Sequence, residues 1–284
     1  MLSQEKTIGV LGAGLMGHGI TLLAAKAGYK TTMVDQSEEI VEKAMQIIKK
    51  NLRHEVNSNK ITETIAENIS NCITLSSQVE DLQFCDVVIE AIPEVLTLKK
   101  DAFSLLDKIC KPSTILATNT SQLSISEIAS ATQRVNQVIG MHFFYPAQIM
   151  QLVEIPLGEH TSQETRDSIV NIAKNMGKSP IVCKDSPGFI VNRLLAGMMV
   201  EATRMYDEQV ASIEDIDRAI KLGLGHPMGP YELFDFSGID TMVRAADGLR
   251  DALGERFLLG TGIRSKMRAG DLGRKTGKGF YTYE

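Results

Sequence analysis

The chain has 284 residues, 43% hydrophobic and 23% charged, with a formal net charge of -5. That balance belongs to a soluble globular protein long enough for one large domain or two modest ones. It excludes a disordered or fibrous chain and argues against nucleic acid as the main partner. Cys72, Cys85, Cys110 and Cys183 form no CxxC pair and no Cys/His ligand spacing. No metal site is therefore expected, and the cysteines read as small apolar residues of a reducing compartment. The chain reaches strand-like sequence within a few residues, without the charged head and apolar run of a secretory signal. No apolar stretch approaches the ~20 residues that a membrane span needs, so a cytoplasmic location is expected.

In chain order, a strand is predicted at 7–11. It leads into Gly12-Ala13-Gly14-Leu15-Met16-Gly17, an apolar helix over 15–27 and a second strand over 30–35 that ends on Asp35. Each part answers a need of a bound dinucleotide. Gly12 permits the tight turn, Gly14 lets the backbone approach the pyrophosphate, and Gly17 lets helix and strand pack closely. The helix N-terminus offers N–H groups and a positive dipole end to phosphate. Asp35 is placed to accept hydrogen bonds from a ribose and to repel the extra phosphate of NADP, so NAD is the expected cofactor.

Further strands are predicted at 86–90, 115–118, 138–143, 151–155 and 181–183, with helices at 38–53, 95–109 and 163–175. Ser37 ahead of two glutamates reads as an N-cap with acids in the first turn. Alternation of this kind predicts a mostly parallel sheet covered by helices on both faces. The charged excursion from Ile40 to about Asn71 reads as a helical hairpin projecting from the sheet, returning to a strand near Ile73. Beyond Asp185-Ser186-Pro187-Gly188 strand runs nearly vanish. Helical periodicity follows over 189–207, 212–222 and 238–253, with a Gly/Pro connector over 223–230. The expected division is residues 1–184, an α/β Rossmann-type domain, and residues 185–284, a smaller all-α domain for substrate binding and dimerisation.

Hydride chemistry on NAD needs a group that takes a hydroxyl proton, and histidine titrates where this is practical. Of the five histidines, His18 lies in the first helix, His54 and His160 in polar stretches, and His226 in the connector. His142 ends a strand, on the carboxyl edge where open α/β sheets bind ligands. Glu154 lies in an apolar strand, where a carboxylate is costly unless paired. If the two strands are neighbours it can hold the second ring nitrogen of His142; otherwise it is a solvent-facing edge residue. Ser121, in Thr118-Asn119-Thr120-Ser121, offers a hydroxyl at the same sheet edge. Asn192, on an apolar helical turn, is either a substrate contact or an ordinary buried amide.

The chain resembles the short-chain L-3-hydroxyacyl-CoA dehydrogenases, bacterial 3-hydroxybutyryl-CoA dehydrogenases included. The likeness runs through Gly12-Ala-Gly-Leu-Met-Gly17, Asn119-Thr-Ser-Gln-Leu-Ser124, His142-Phe-Phe-Tyr-Pro146 and Leu152-Val-Glu154. It continues through Ser186-Pro-Gly-Phe-Ile-Val-Asn-Arg193, His226-Pro-Met-Gly-Pro230 and Gly273-Arg-Lys-Thr-Gly-Lys-Gly-Phe-Tyr281. The resemblance implies reversible NAD-dependent oxidation of an L-3-hydroxyacyl-CoA to the 3-ketoacyl-CoA in a homodimer joined through the helical domain. It implies His142 as acid/base, Glu154 as its orienting partner, and Ser121 and Asn192 on the substrate. Cofactor contacts map onto the residues from Gly12 to Gly17, Asp35, Glu94, Lys99, Ser121, Tyr145 and Lys275. Arg53 and Lys60 map onto the stretch that helps hold CoA.

Two departures stand out. Tyr145 occupies a position beside the nicotinamide where the family normally has Asn, and the lysine-rich stretch after the long helix is thinned to Arg53 and Lys60. Gln122 replaces a usual serine. These motivate a second reading, a dehydrogenase of a 3-hydroxy acid without CoA. A third, a non-catalytic NAD-binding protein, sits poorly with Ser121, His142, Glu154 and Asn192 together.

Overall fold

The computed structural model describes residues 6–283. The chain divides into two compact units between Phe189 and Ile190, a few residues past the change of sequence character at Asp185.

The first unit is built on β1 (Thr7–Leu11), α1 (Gly17–Lys26), β2 (Lys30–Val34), α2 (Glu38–Asn57), α3 (Glu63–Asn71) and β3 (Ile73–Ser76). It continues through β4 (Val87–Glu90), α4 (Leu96–Ile109), β5 (Ile115–Thr118), α5 (Ile125–Ala129) and β6 (Val138–Gly140). The strands are short runs rich in β-branched residues. The residues of β4 and β5 are all buried, as central strands covered by helices on both faces must be. Among the described residues they form a six-stranded parallel sheet in the order β3-β2-β1-β4-β5-β6. Strand order reverses between β1 and β4, which opens a crevice at their carboxyl ends.

The excursion after β2 is the expected helical hairpin, with Ser37 and Thr62 as side-chain caps of α2 and α3. It does not project. Val41, Ala44, Ile48 and Leu52 make a stripe at helical spacing that packs with Leu22 and Ala25 of α1 and Met33 of β2. The apolar stripe outweighs the charged face in placing the hairpin.

The strand predicted over 138–143 is two strands in two sheets. Met141 still donates to Thr118 O at 2.8 Å, and the chain then changes partner. The two-residue β7 (His142–Phe143) runs antiparallel to β8 (Leu152–Leu157), which pairs in parallel with β9 (Ser179–Lys184) after α6 (Gln163–Asn175). Gly140 is the reason the change is feasible. A Cβ there would stand 2.2 Å from Pro156 Cγ and 3.0 Å from Ile125 Cδ1, so only glycine lets β8 lie this close to β6.

The second unit comprises α7 (Val191–Asp207), α8 (Ile213–Leu224), α9 (Pro230–Ser237), α10 (Ile239–Leu253) and α11 (Thr261–Arg268), plus a C-terminal segment with isolated bridges. Tyr206, Tyr231, Phe234 and Phe280 form its aromatic centre, with ring centroids 4.8–6.3 Å apart. Two buried carboxylates fasten it. Asp217 of α8 accepts from the Tyr231 and Glu232 amides at 2.9 Å and from the Tyr281 hydroxyl at 2.8 Å, capping α9 from outside. Burial outweighs these bonds and raises its carboxyl above the usual range. Asp235 accepts from the Phe280 and Tyr281 amides and the Tyr283 hydroxyl, fixing the C-terminal segment.

Replacing Gly140 with valine should therefore destabilise the first unit by about 1–3 kcal/mol through overpacking. A lower urea midpoint by far-ultraviolet circular dichroism is the expected result.

Candidate active site

The glycine loop is shaped by two close backbone approaches. Gly12 has φ +100°, and a Cβ on it would stand 2.7 Å from Ala91 O; a Cβ on Gly17 would stand 1.7 Å from Gly12 O. Gly14 is different, since a Cβ there would meet nothing within 4 Å. Its position faces open space, as a backbone approached by a pyrophosphate requires. Ala13 is buried, Met16 half-buried, and Leu15 61% exposed beside the crevice. Asp35 braces the loop: Oδ2 accepts from the Ala13 amide and Oδ1 from the Gln36 amide, both at 2.7 Å. Each oxygen keeps a second lone pair, so the brace is compatible with ribose binding. His18 bonds Gly14 O through Nδ1 at 2.7 Å and so serves the loop. His54 and His160 are exposed and His226 half-buried.

His142 and Glu154 face each other across β7 and β8. Directly opposed residues on one face of an antiparallel pair bring their side chains together, and Nδ1 lies 2.8 Å from Glu154 Oε2. Glu154 is fully buried and the imidazole is 7% exposed. With a carboxylate on Nδ1, the proton of the neutral ring sits there and Nε2 offers its lone pair. Phe144 and Phe189 flank the ring at centroid distances of 4.5 and 5.8 Å. Asn119 Oδ1 accepts from the Phe143 amide at 2.9 Å, tying the loop after β5 to β7. The sequence left Glu154 open between a paired and a solvent-facing role; the register decides for pairing.

The loop after β5 is gripped by Glu94. Its Oε1 accepts from Thr120 Oγ1 (2.6 Å), the Ser121 amide (2.8 Å), Ser121 Oγ (3.0 Å) and the Gln122 amide (3.2 Å). Burial alone would raise its carboxyl, but the Lys99 charge and these bonds outweigh burial and hold it below the usual carboxylate range. Lys99 is buried and bonds Glu90 Oε1 at 2.6 Å. Glu90 was not among the sequence candidates; its signal was a carboxylate closing the apolar run Val87-Val-Ile-Glu90. Lys178 was also missed. Its buried ammonium donates to Ala147 O (2.5 Å) and Met150 O (2.9 Å), securing the turn that follows Tyr145 and Pro146. Burial, with a smaller contribution from Lys26, lowers its pKa.

Tyr145 is 53% exposed just after β7. Arg53 is exposed on α2, beside a cleft of about 440 Å3 shared with α3, and Lys60 is exposed in the α2–α3 connector. Asn192 occupies the first turn of α7 in the helical unit, and Lys275 there pairs with Asp240 beside Gly238. Burial pushes Cys85 up to about 12 and Cys110 and Cys183 up to about 11.

Changing Gly17 to alanine forces α1 away from the Gly12 carbonyl. NADH affinity, read by enhancement of nicotinamide fluorescence, is expected to fall at least about tenfold, the equivalent of one poorly made phosphate contact set.

Comparison with known proteins follows the same division. Residues 7–186 match the family model described as 3-hydroxyacyl-CoA dehydrogenase, NAD binding domain, and residues 188–283 match 3-hydroxyacyl-CoA dehydrogenase, C-terminal domain. The chain is 44% identical to the probable 3-hydroxybutyryl-CoA dehydrogenase of Bacillus subtilis, over 99% of this chain and 98% of that one. It is 41% identical to the mitochondrial hydroxyacyl-coenzyme A dehydrogenase of Sus scrofa, over 98% of this chain and 91% of that one. Among solved structures it superposes on the (S)-3-hydroxybutyryl-CoA dehydrogenase of Ralstonia eutropha with a TM-score of 0.96 and 39% identity, covering 98% and 99% of the two chains. With the glycine loop, Asp35 and a family match across both units, the chain belongs to the NAD-dependent 3-hydroxyacyl-CoA dehydrogenase family.

Proposed function

We propose that the protein interconverts a short-chain L-3-hydroxyacyl-CoA and its 3-ketoacyl-CoA, with His142 as the acid/base. The observation that carries this reading is the buried His142–Glu154 pair at 2.8 Å, in the same unit as a glycine loop shaped for a dinucleotide. In the oxidative direction His142 Nε2 takes the proton of the 3-hydroxyl. Glu154 balances the imidazolium that forms and keeps the ring in the productive tautomer. The Gly12–Gly17 loop and Asp35 would hold NAD, which when bound would supply the hydride acceptor for C3. In reduction the imidazolium returns its proton to the 3-oxygen. Flanking by Phe144 and Phe189 keeps water from the ring and strengthens the His142–Glu154 attraction.

The remaining roles rest on the motif match. Ser121 and Asn192 hold the 3-oxygen and the thioester end, Glu94, Lys99 and Lys275 serve the cofactor, and Tyr145 borders the nicotinamide. Arg53 and Lys60 offer charge to CoA phosphates, as two exposed cations where the family has more. The helical unit carries an apolar groove of about 460 Å3 between α7 and α8, lined by Met198, Ala202, Met205, Ile216, Ile220 and Pro230. A groove of this chemistry suits a second copy of the chain, and a homodimer joined there is part of the reading. No helix among the described residues is long and apolar enough to cross a membrane. Cysteines left as free thiols fit a reducing compartment such as the cytoplasm.

The test is NADH consumption with acetoacetyl-CoA, beside free acetoacetate and an NADPH control. Rapid loss with the thioester and NADH alone is expected; faster turnover of the free acid would overturn the choice of acyl carrier. The His142→Gln variant should lose at least about a hundredfold in kcat, the worth of a general base, while binding NADH as the wild type does. Retained turnover would remove His142 from its role. Ile220→Glu is expected to convert a dimeric species to a monomer in sedimentation velocity. A wild type that sediments as a monomer would remove the dimer from the reading.

A further inference from the structure

The first unit holds a second buried charge cluster beside His142 and Glu154, in which Lys99 and Glu94 are assigned to the cofactor and Glu90 has no task. Glu90 ends β4 with no exposure, and Lys99 on α4 is 1% exposed. Lys99 Nζ lies 2.6 Å from Glu90 Oε1 and 3.4 Å from Glu94 Oε2, and donates to Ile92 O at 3.2 Å. Glu90 is held on its other sides by the Ile92 amide (2.8 Å, to Oε1) and Thr118 Oγ1 (2.7 Å, to Oε2). One ammonium thus stands between two carboxylates. The nearer one reaches back into the sheet, and the farther one grips the loop that carries Ser121.

We propose that Glu90 is a positioning residue: it takes the main share of the Lys99 charge and so leaves Glu94 free to hold Ser121. Its consequence for turnover rests on the function proposed above; its structural half does not. The two carboxylates compete for one ammonium in a medium of low dielectric, where a buried ammonium must stay close to an anion. With Glu90 ionised, the direct bond goes to Glu90, and Glu94 feels the charge at 3.4 Å without surrendering Oε1 to it. With Glu90 neutral, Lys99 has one anion left. The ammonium closes on Glu94, and the carboxylate turns from Thr120, Ser121 and Gln122 toward it. The loop after β5 then loses its four bonds to Glu94 Oε1, and Ser121 with it. Glu90 touches no reacting atom in this account and acts through Lys99 and Glu94.

The Glu90→Gln variant removes the charge and keeps the shape, including an oxygen for Lys99. Hydrogen exchange of the Ser121 and Gln122 amides is expected to quicken by about tenfold or more, with sheet amides of β1 and β4 unchanged. On acetoacetyl-CoA, kcat per folded enzyme should fall by about tenfold while KM stays within about threefold, the pattern of an interaction felt mainly in the transition state. The double variant Glu90→Gln with Lys99→Met removes the stranded cation, and protection at Ser121 and Gln122 should return to the wild-type level. That double variant also keeps the idea testable if the single one fails to fold, because a neutral pair of similar volume often replaces a buried ion pair without loss of stability.

Unchanged exchange at Ser121 and Gln122 in Glu90→Gln would overturn the proposal. So would uniform loosening of the whole sheet with kcat per folded enzyme unchanged, or loss of protection in the double variant. A wild type inactive on every thioester, with the Ser121 amide still loosened by Glu90→Gln, would defeat the functional reading and keep the positioning role. An active wild type with unmoved amides would defeat the positioning role alone.

Discussion

Taking a carboxylate out of water costs several kcal/mol unless donors replace its hydration. This fold turns that constraint into a fastening device. Glu90, Glu154, Asp217 and Asp235 are each buried to within 1% of complete exclusion. Each gathers donors from elements other than its own. Glu90 joins the end of β4 to α4 and to the end of β5. Glu154 joins β8 to β7 through His142. Asp217 joins α8 to α9 and to the C-terminal segment, which Asp235 joins to α9 in turn. Because donors must be collected from the surrounding chain, each carboxylate specifies where loops and helix ends lie. In the first unit those loops carry the candidate chemistry.

The second constraint is backbone approach. Parallel strands with a helical crossover bring the end of β1, the start of α1 and the end of β4 into one crowded corner, where a side chain at Gly12 or Gly17 would collide with main-chain carbonyls. Gly14 is spared for another reason, since its surroundings are open. The same motif therefore contains two glycines demanded by folding and one that the fold leaves room to replace. Asp35 braces the loop through the Ala13 amide, and each of its oxygens keeps a second lone pair.

The turn after β7 carries Tyr145 and is secured from two sides. Lys178 bonds two of its carbonyls from beneath, and Ala147 lies against α1 near Gly19, where a Cβ would come within 3.1 Å of Ala147 Cβ. These contacts fix the backbone on which the half-exposed Tyr145 phenol is carried.

The sequence by itself determined the parts whose physics is local. Alternating β-branched runs and helical stripes specified a parallel sheet with helices and a helical second unit. Glycine spacing with Asp35 specified a dinucleotide loop, and Ser37 announced its helix by capping chemistry. Tertiary structure decided whatever depends on which strands become neighbours. The partner change at Met141 turns one predicted strand into two and sets His142 opposite Glu154, a pairing that register alone fixes. The α2–α3 hairpin lies on α1 because apolar faces seek one another across the chain. Glu90 was legible as a carboxylate in an apolar strand, but its partner Lys99 became legible only when α4 was laid beside β4. A buried charge announces that it needs a counter-ion; only the assembled fold says which residue supplies it.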